Sequence, residues 1–311
     1  MRLDGEFGTL TGVAAELGLD PAVIPQVSRR LAAAGPGQAC SVVRWGSAGP
    51  ELVFLHGGGQ NARTWDLVAL DLGRPAIAVD LPGHGHSTWR GDHDYGPAAN
   101  AAAVAPVIEA HAPRAAAVVG MSLGGLTTIA LAADRPDLVR RAVLVDVTPG
   151  SGEAARQMSR AQRGAVALLD GPRTFASLDE MAGLAIAASP RRPATAVRRG
   201  VRHNARQLAD GRWAWRYDRE RAPGGATAVE ALTAAAAAQW ADFSRLDVPL
   251  MLVRGADSGF VTGQDLAEAR RRQPGIRVET VPGAGHAVQS DQPRALSHLI
   301  RDFVFGPARA S

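Results

Sequence analysis

The chain has 311 residues, 46% of them hydrophobic, and a formal net charge of +4, a composition that suits two average domains or one large α/β domain carrying an insertion. All 34 basic residues are arginine, which excludes a phosphate-loop lysine or a lysine Schiff base, and no run of eighteen apolar residues offers a membrane span. The isoelectric point near 10.3 follows from a small arginine excess in a chain with few groups titrating between neutrality and the arginine range, so a nucleic-acid partner is not expected.

Residues 1–38 read as an N-terminal extension without the basic, apolar and cleavage-site pattern of a signal peptide. Within it Val23, Ile24, Val27 and Leu31 follow Asp20-Pro21 as one short amphipathic helix that stops at Gly35-Pro36-Gly37. Cys40 to Trp45 and Glu51 to Leu55 read as two strands joined in a hairpin at Gly46–Pro50. Cys40, the single cysteine, is expected to fill core space; with no disulfide available, a cytoplasmic location is expected. His56-Gly57-Gly58-Gly59 comes next, then a strand from Ala76 to Val79 and the turn-rich loop Asp80–Ser87. An alanine-rich helix over about 97–111 leads to the apolar run Ala115–Val119, and a helical pattern resumes through Leu123, Leu126 and Ile129. Further strands are expected at Ala142–Val147, Pro249–Val253 and Ile276–Val281, with helices near 263–273 and 293–304. Near-continuous apolar strands alternating with helices specify an α/β fold, a mostly parallel twisted sheet covered by helices on both faces.

From Thr148 to about Trp240 that rhythm breaks. Helical patterns at 153–169, 176–188, 194–209 and 226–240 follow one another without a strong buried strand, although Trp213, Trp215 and Tyr217 alternate as on a strand. The reading is a core in two parts, 39–147 and 241–311, interrupted by a helical cap at 148–240.

Between the central strand and helix lies Gly120-Met121-Ser122-Leu123-Gly124. A serine between glycines at such a turn is held in strained backbone angles and presents its hydroxyl at the carboxyl end of the strand, the arrangement of a nucleophile elbow. A serine hydroxyl needs a base, and the base needs an acid to fix its tautomer. His286, in the glycine-rich loop after the last strand, is the expected base. Asp257, after the preceding strand, is the expected acid, with Asp146 at the end of another strand as its competitor. The oxyanion donors are expected at the amides of Leu123 and Gly58, with Gly57 and Gly59 as alternatives to the latter. His56 is expected to anchor its loop. His84 and His86 have metal-like spacing but no evident third ligand, so neither a metal nor a cofactor is expected.

These motifs, His56–Gly59, Asp80–Ser87, Gly120–Gly124, Gly255–Asp257 and Gly283–His286, resemble in their order the α/β-hydrolase superfamily, over about 40–147 and 245–305. The resemblance implies that fold with an inserted cap, and a serine nucleophile rather than the aspartate of haloalkane dehalogenases and epoxide hydrolases. It implies a hydrolase like the capped esterases, enol-lactonases, C–C hydrolases and cofactor-free haloperoxidases. Met121, where the C–C hydrolases resemble one another in carrying asparagine, favours an ester or lactone of a small, largely apolar molecule. A ligand receptor of the same fold is the non-enzymatic alternative. A small-molecule substrate is the expected partner, without nucleic acid or membrane, and a homodimer is left open.

Overall fold

The computed structural model describes residues 5–220 and 235–306. Helix α1 (Leu10–Glu16) leads into an antiparallel pair, β1 (Val27–Gly35) and β2 (Gln38–Trp45). Then follow β3 (Leu52–Leu55), α2 (Asp66–Leu72), β4 (Ala76–Val79), α3 (Pro97–His111), β5 (Ala117–Met121), α4 (Leu123–Asp134) and β6 (Ala142–Val145). Strands β1 to β6 belong to an eight-stranded sheet of order β1-β2-β4-β3-β5-β6-β10-β11. Its last two strands are β10 (Leu250–Gly255) and β11 (Arg277–Val281). From β4 through β11 every neighbouring pair is parallel.

The two-residue period of a strand sorts the apolar runs between two cores. Val53, Leu55, Ile77, Val79, Val118, Leu144 and Leu252 face one core, packed against α3 and α4. Leu52, Phe54, Ala78, Val119, Val143, Val145 and Val253 face the other, against α1 and α2. Because both faces are buried, the strands carry no polar alternation, which is why they read as continuous apolar runs.

Between β6 and β10, over the segment expected to form the cap, the described residues include α5 (Ser151–Gln157), α6 (Arg160–Arg163), β7 (Thr174–Phe175), α7 (Leu178–Ala187), α8 (Ala194–Asn204), β8 (Ala205–Gln207) and β9 (Trp213–Trp215). Helix α9 (Ala236–Arg245) returns the chain to the first core, through Phe243. After β10 come α10 (Gly263–Arg272), β11, α11 (Val288–Asp291) and α12 (Pro293–Phe305).

Three expectations need correction. The helix expected from Asp20 to Gly35 is a short 3₁₀ turn at Pro21–Val23 followed by strand β1, so the second half of the N-terminal extension joins the core sheet. The buried face of β1 is carried by Ala32 and Ala34, while Leu31 is 67% exposed. The large apolar residues therefore trace a helical period that the strand does not use, and Gly35-Pro36-Gly37 turns a hairpin instead of ending a helix. Strands β2 and β3 do not form a hairpin either, because β4 lies between them. Finally, the cap is not wholly helical: β7, β9 and β8 form a three-stranded antiparallel sheet, with Trp213 and Trp215 on its central strand. The expected helix at 226–240 lies in part outside the described residues; the described helix begins at Ala236.

Candidate active site

Ser122 stands between β5 and α4 with φ 50° and ψ −119°, one of three non-glycine residues with positive φ among the described residues. Such angles cost about 1–3 kcal/mol and persist only where the surroundings impose them. Here they are imposed by close packing. A Cβ at Gly120 would lie 2.2 Å from the Gly124 carbonyl oxygen, and one at Gly124 would lie 2.3 Å from that of Leu55. Strand, elbow and helix can approach this closely only because both positions lack side chains.

The Ser122 hydroxyl lies 3.0 Å from Nε2 of His286, and Nδ1 of the same ring lies 2.7 Å from Oδ2 of Asp146. The carboxylate accepts from Nδ1–H, which fixes the tautomer and leaves the Nε2 lone pair facing the serine. Asp146 is fully buried at the end of β6 and has φ 51°. It also accepts from the Gly255 amide at 2.9 Å and the Ser258 hydroxyl at 2.5 Å. Three donors offset the cost of burying the charge. The Phe260 ring stacks on the imidazole at 3.8 Å between centroids and 19° between planes, holding its orientation from one side.

Asp257, the acid expected from the sequence, is not at this position. Its side chain is 44% exposed and pairs with Arg191 of the cap at 3.4 Å. The reason lies in the path of the His286 loop. A Cβ at Gly255 would be 2.2 Å from the Gly285 carbonyl oxygen, and the Asp257 amide donates to Ala284 at 2.9 Å. The loop thus folds back over the end of β10, beyond Asp257, and brings His286 to Asp146 on the next strand. An acid flanked by Val145 and Val147 at the end of an apolar run was the available signal, and Ser258 and Phe260 carried none.

The glycine loop after β3 completes the arrangement. The Gly57 amide is taken by Oε1 of Gln60 at 3.2 Å, whereas the amides of Gly58 and Leu123 donate to no acceptor among the described residues. Leu123 opens α4, where unpaired amides and the helix dipole favour negative charge. Asn204 of the cap donates to the Gly59 carbonyl at 2.5 Å and accepts from Asn61 at 3.2 Å, tying the loop to α8. Leu169 packs on it as well: a Cβ at Gly59 would lie 2.5 Å from its Cδ2.

His56 is fully buried, accepts from the Leu81 amide at Nε2 (2.9 Å) and faces the Gly57 carbonyl with Nδ1 (2.8 Å). The ring bridges the loops after β3 and β4. Burial, with the neighbouring His84, pushes its pKa down to about 3. A histidine depressed in the folded state stays neutral there while the unfolded chain takes up a proton below about pH 6.5, so its stabilising contribution is present above that pH and is lost on acidification. Between pH 6.5 and 4 the stability gap between the wild type and His56→Gln should therefore shrink by about 1.4 kcal/mol per pH unit, read from urea midpoints across that range. A constant gap would show that the imidazole titrates alike in both states.

In the loop Asp80–Ser87, buried Asp80 accepts from the amides of Ala62 and His86 and pairs with Arg29 at 2.6 Å. Burial raises its pKa, but Arg29 and the amides outweigh it and hold the carboxyl below its ordinary range. His84 faces the Pro82 carbonyl through Nδ1 at 2.9 Å, and its ring stacks on Tyr217 of the cap. Among the described residues no cluster of three His, Cys, Asp or Glu side chains is placed to hold a metal ion. Cys40 is buried, and burial pushes its thiol up to about 12, out of reach of nucleophilic use.

A partly open cavity of about 770 Å³ is lined by Ser122, His286, Gly58 and Leu123 and, from the segment expected to form the cap, by Leu168, Leu169, Val197, Trp215 and Tyr217. Of the other large cap residues, Met181 is sealed inside the cap's own core, Leu184 faces solvent, and Met158 packs against Phe260.

Comparison with known proteins bears on the fold and the family. The family model described as "Alpha/beta hydrolase family" matches residues 52–299. The chain is 50% identical over 297 residues to the esterase Rv0045c of Mycobacterium tuberculosis, covering 95% of this chain and 94% of that one. It is 30% identical over 278 residues to the 2-(acetamidomethylene)succinate hydrolase of Mesorhizobium japonicum, covering 84% and 90% respectively. A solved structure of the M. tuberculosis esterase superposes with a TM-score of 0.81 at 49% identity, covering 96% of this chain and 98% of that one.

Proposed function

We propose, since this chain belongs to the alpha/beta hydrolase family and is a hydrolase, that it cleaves an ester or lactone of a small, largely apolar molecule through an acyl-enzyme on Ser122. The carrying observation is the unbroken chain of contacts from Ser122 through His286 to Asp146, at 3.0 and 2.7 Å. His286 takes the serine proton as Oγ attacks the carbonyl carbon, and Asp146 stabilises the imidazolium that forms. The amides of Leu123 and Gly58 receive the developing oxyanion, and each such donor contributes about 3–4 kcal/mol to transition-state stabilisation. His286 then protonates the leaving oxygen and activates the water that releases the acid.

Met121 supports an ester or lactone over a C–C bond. It is buried and apolar, packed so closely that a Cβ at Gly57 would lie 2.5 Å from its sulfur, and so offers no hydrogen bond to a dienolate. Hydrolysis of a panel of p-nitrophenyl esters, lactones and dienones tests the assignment. Turnover of the esters or lactones without the dienones is expected; turnover of the dienones alone would replace the reading with C–C hydrolysis.

The cap is proposed to set substrate choice through the residues that line the cavity. Apolar walls discriminate by about 1–3 kcal/mol per methylene, so the chain-length profile should be graded. Leu169→Ala, which opens space directly over the glycine loop, should shift the optimum of kcat/KM across a C2–C10 acyl series toward longer chains by one or more steps. An unshifted profile for both Leu169→Ala and Leu168→Ala would assign the wall to the core loops.

A further inference from the structure

The cavity over Ser122 is apolar along Leu168, Leu169 and Val197, yet arginines also line it, and all but one are already engaged among the described residues. Arg63 is bound to Asp66 at 2.7 Å, Arg163 pairs with Asp170 at 3.7 Å and Arg191 with Asp257 at 3.4 Å. Arg199 is held by both oxygens of Glu16, and Arg219 by the carbonyls of Leu169 and Gly171. Arg192 differs. Its side chain forms no hydrogen bond or ion pair among the described residues, and its Nε is shielded from water without an acceptor.

An arginine cannot shed its proton, so a guanidinium left partly dry and unpaired is costly unless an anion completes it. The position is also preorganised. Arg192 closes a turn between α7 and α8 through its backbone bond to Ser189, with Pro190 and Pro193 on either side. Its charge is opposed only at a distance, by Asp291, which binds the Gly285 amide of the His286 loop at 2.9 Å, and by Glu16, while Arg199 adds a like charge. Burial raises the Asp291 carboxyl above its ordinary range, against the pull of the Gly285 amide and of Arg192 and Arg191. The guanidinium fork matches a carboxylate in two parallel hydrogen bonds.

We infer that Arg192 forms a carboxylate subsite of the cavity, so that the preferred substrate is an ester or lactone whose apolar acyl chain ends in a free carboxylate. This rests on the esterase reading above, and one experiment separates the two. Adipate and its neutral diamide are titrated by calorimetry into the whole protein, into Arg192→Met and into Arg192→Lys. In parallel, kcat/KM is measured for mono-p-nitrophenyl adipate against p-nitrophenyl hexanoate. A charge-assisted pair predicts about tenfold or more tighter binding of adipate than of the diamide, lost in Arg192→Met and partly kept in Arg192→Lys. The kinetic ratio of anionic to neutral ester should collapse likewise in Arg192→Met, with a thermal midpoint no lower than the parent's excluding misfolding. Equal adipate binding by wild type and Arg192→Met, or displacement of adipate by inorganic phosphate at the same concentration, overturns the subsite. Adipate binding that depends on Arg192 in a protein that hydrolyses neither ester keeps the subsite and removes the esterase.

Discussion

Replacing Ser122 by alanine should leave the fold intact and lower turnover by about 10⁴–10⁶-fold, the range in which a lost nucleophile leaves only binding and oxyanion stabilisation. The fold should survive because the hydroxyl's one hydrogen bond among the described residues is with His286, while the elbow is imposed by Gly120 and Gly124. Alanine keeps the Cβ and so adds nothing to the strain at φ 50°. A thermal midpoint within a few degrees of the parent, measured beside the kinetics, separates lost chemistry from lost structure. Activity within tenfold of the parent would remove Ser122 from the reaction.

The second large effect distinguishes the two aspartates. Asp146→Asn should reduce kcat by about 10⁴-fold, because the amide offers donors where Nδ1–H needs an acceptor, and the ring flips its proton toward Ser122. Asp257→Asn removes an exposed ion pair with Arg191, of a kind worth about 0–1 kcal/mol, and should change kcat by less than about fivefold. The reverse ranking would return the acid to Asp257 and require the His286 loop to move in solution.

The error that makes this comparison informative has a physical origin. Both aspartates follow parallel strands at the same edge of the sheet, so strand order and spacing cannot separate them. The choice is made by the loop from Val281 to His286, which lies across Gly255 because that residue has no side chain to stop it. A glycine at a strand end is visible in sequence; which loop will fill the space it opens is not. Ser122 was legible for the opposite reason, since a GxSxG turn between an apolar run and a helix specifies local geometry by itself, and His286 because a glycine-rich loop after the last strand sets it at the carboxyl edge of the sheet. The family resemblance carried by the five motifs is borne out by the family match over residues 52–299.

The same distinction runs through the fold. The parallel strands announced themselves because both faces are buried, and the helices at 97–111 and 263–272 because their amphipathic or alanine-rich patterns span several turns. Strand β1 did not, since its buried face is only alanine and its pairing with β2 is decided by the edge of a sheet assembled elsewhere in the chain. The cap sheet has strands of two or three residues, too short for any period to establish itself.

The central claim is that Ser122 is the nucleophile of a relay completed by His286 and Asp146. Its most direct test is intact-mass measurement after incubation with a fluorophosphonate, followed by peptide mapping, on wild type, Ser122→Ala and Asp146→Asn. The account predicts one adduct per chain on Ser122 in the wild type, none in Ser122→Ala, and labelling slowed by orders of magnitude in Asp146→Asn. An adduct on another residue, or wild-type labelling rates in Asp146→Asn, would contradict it.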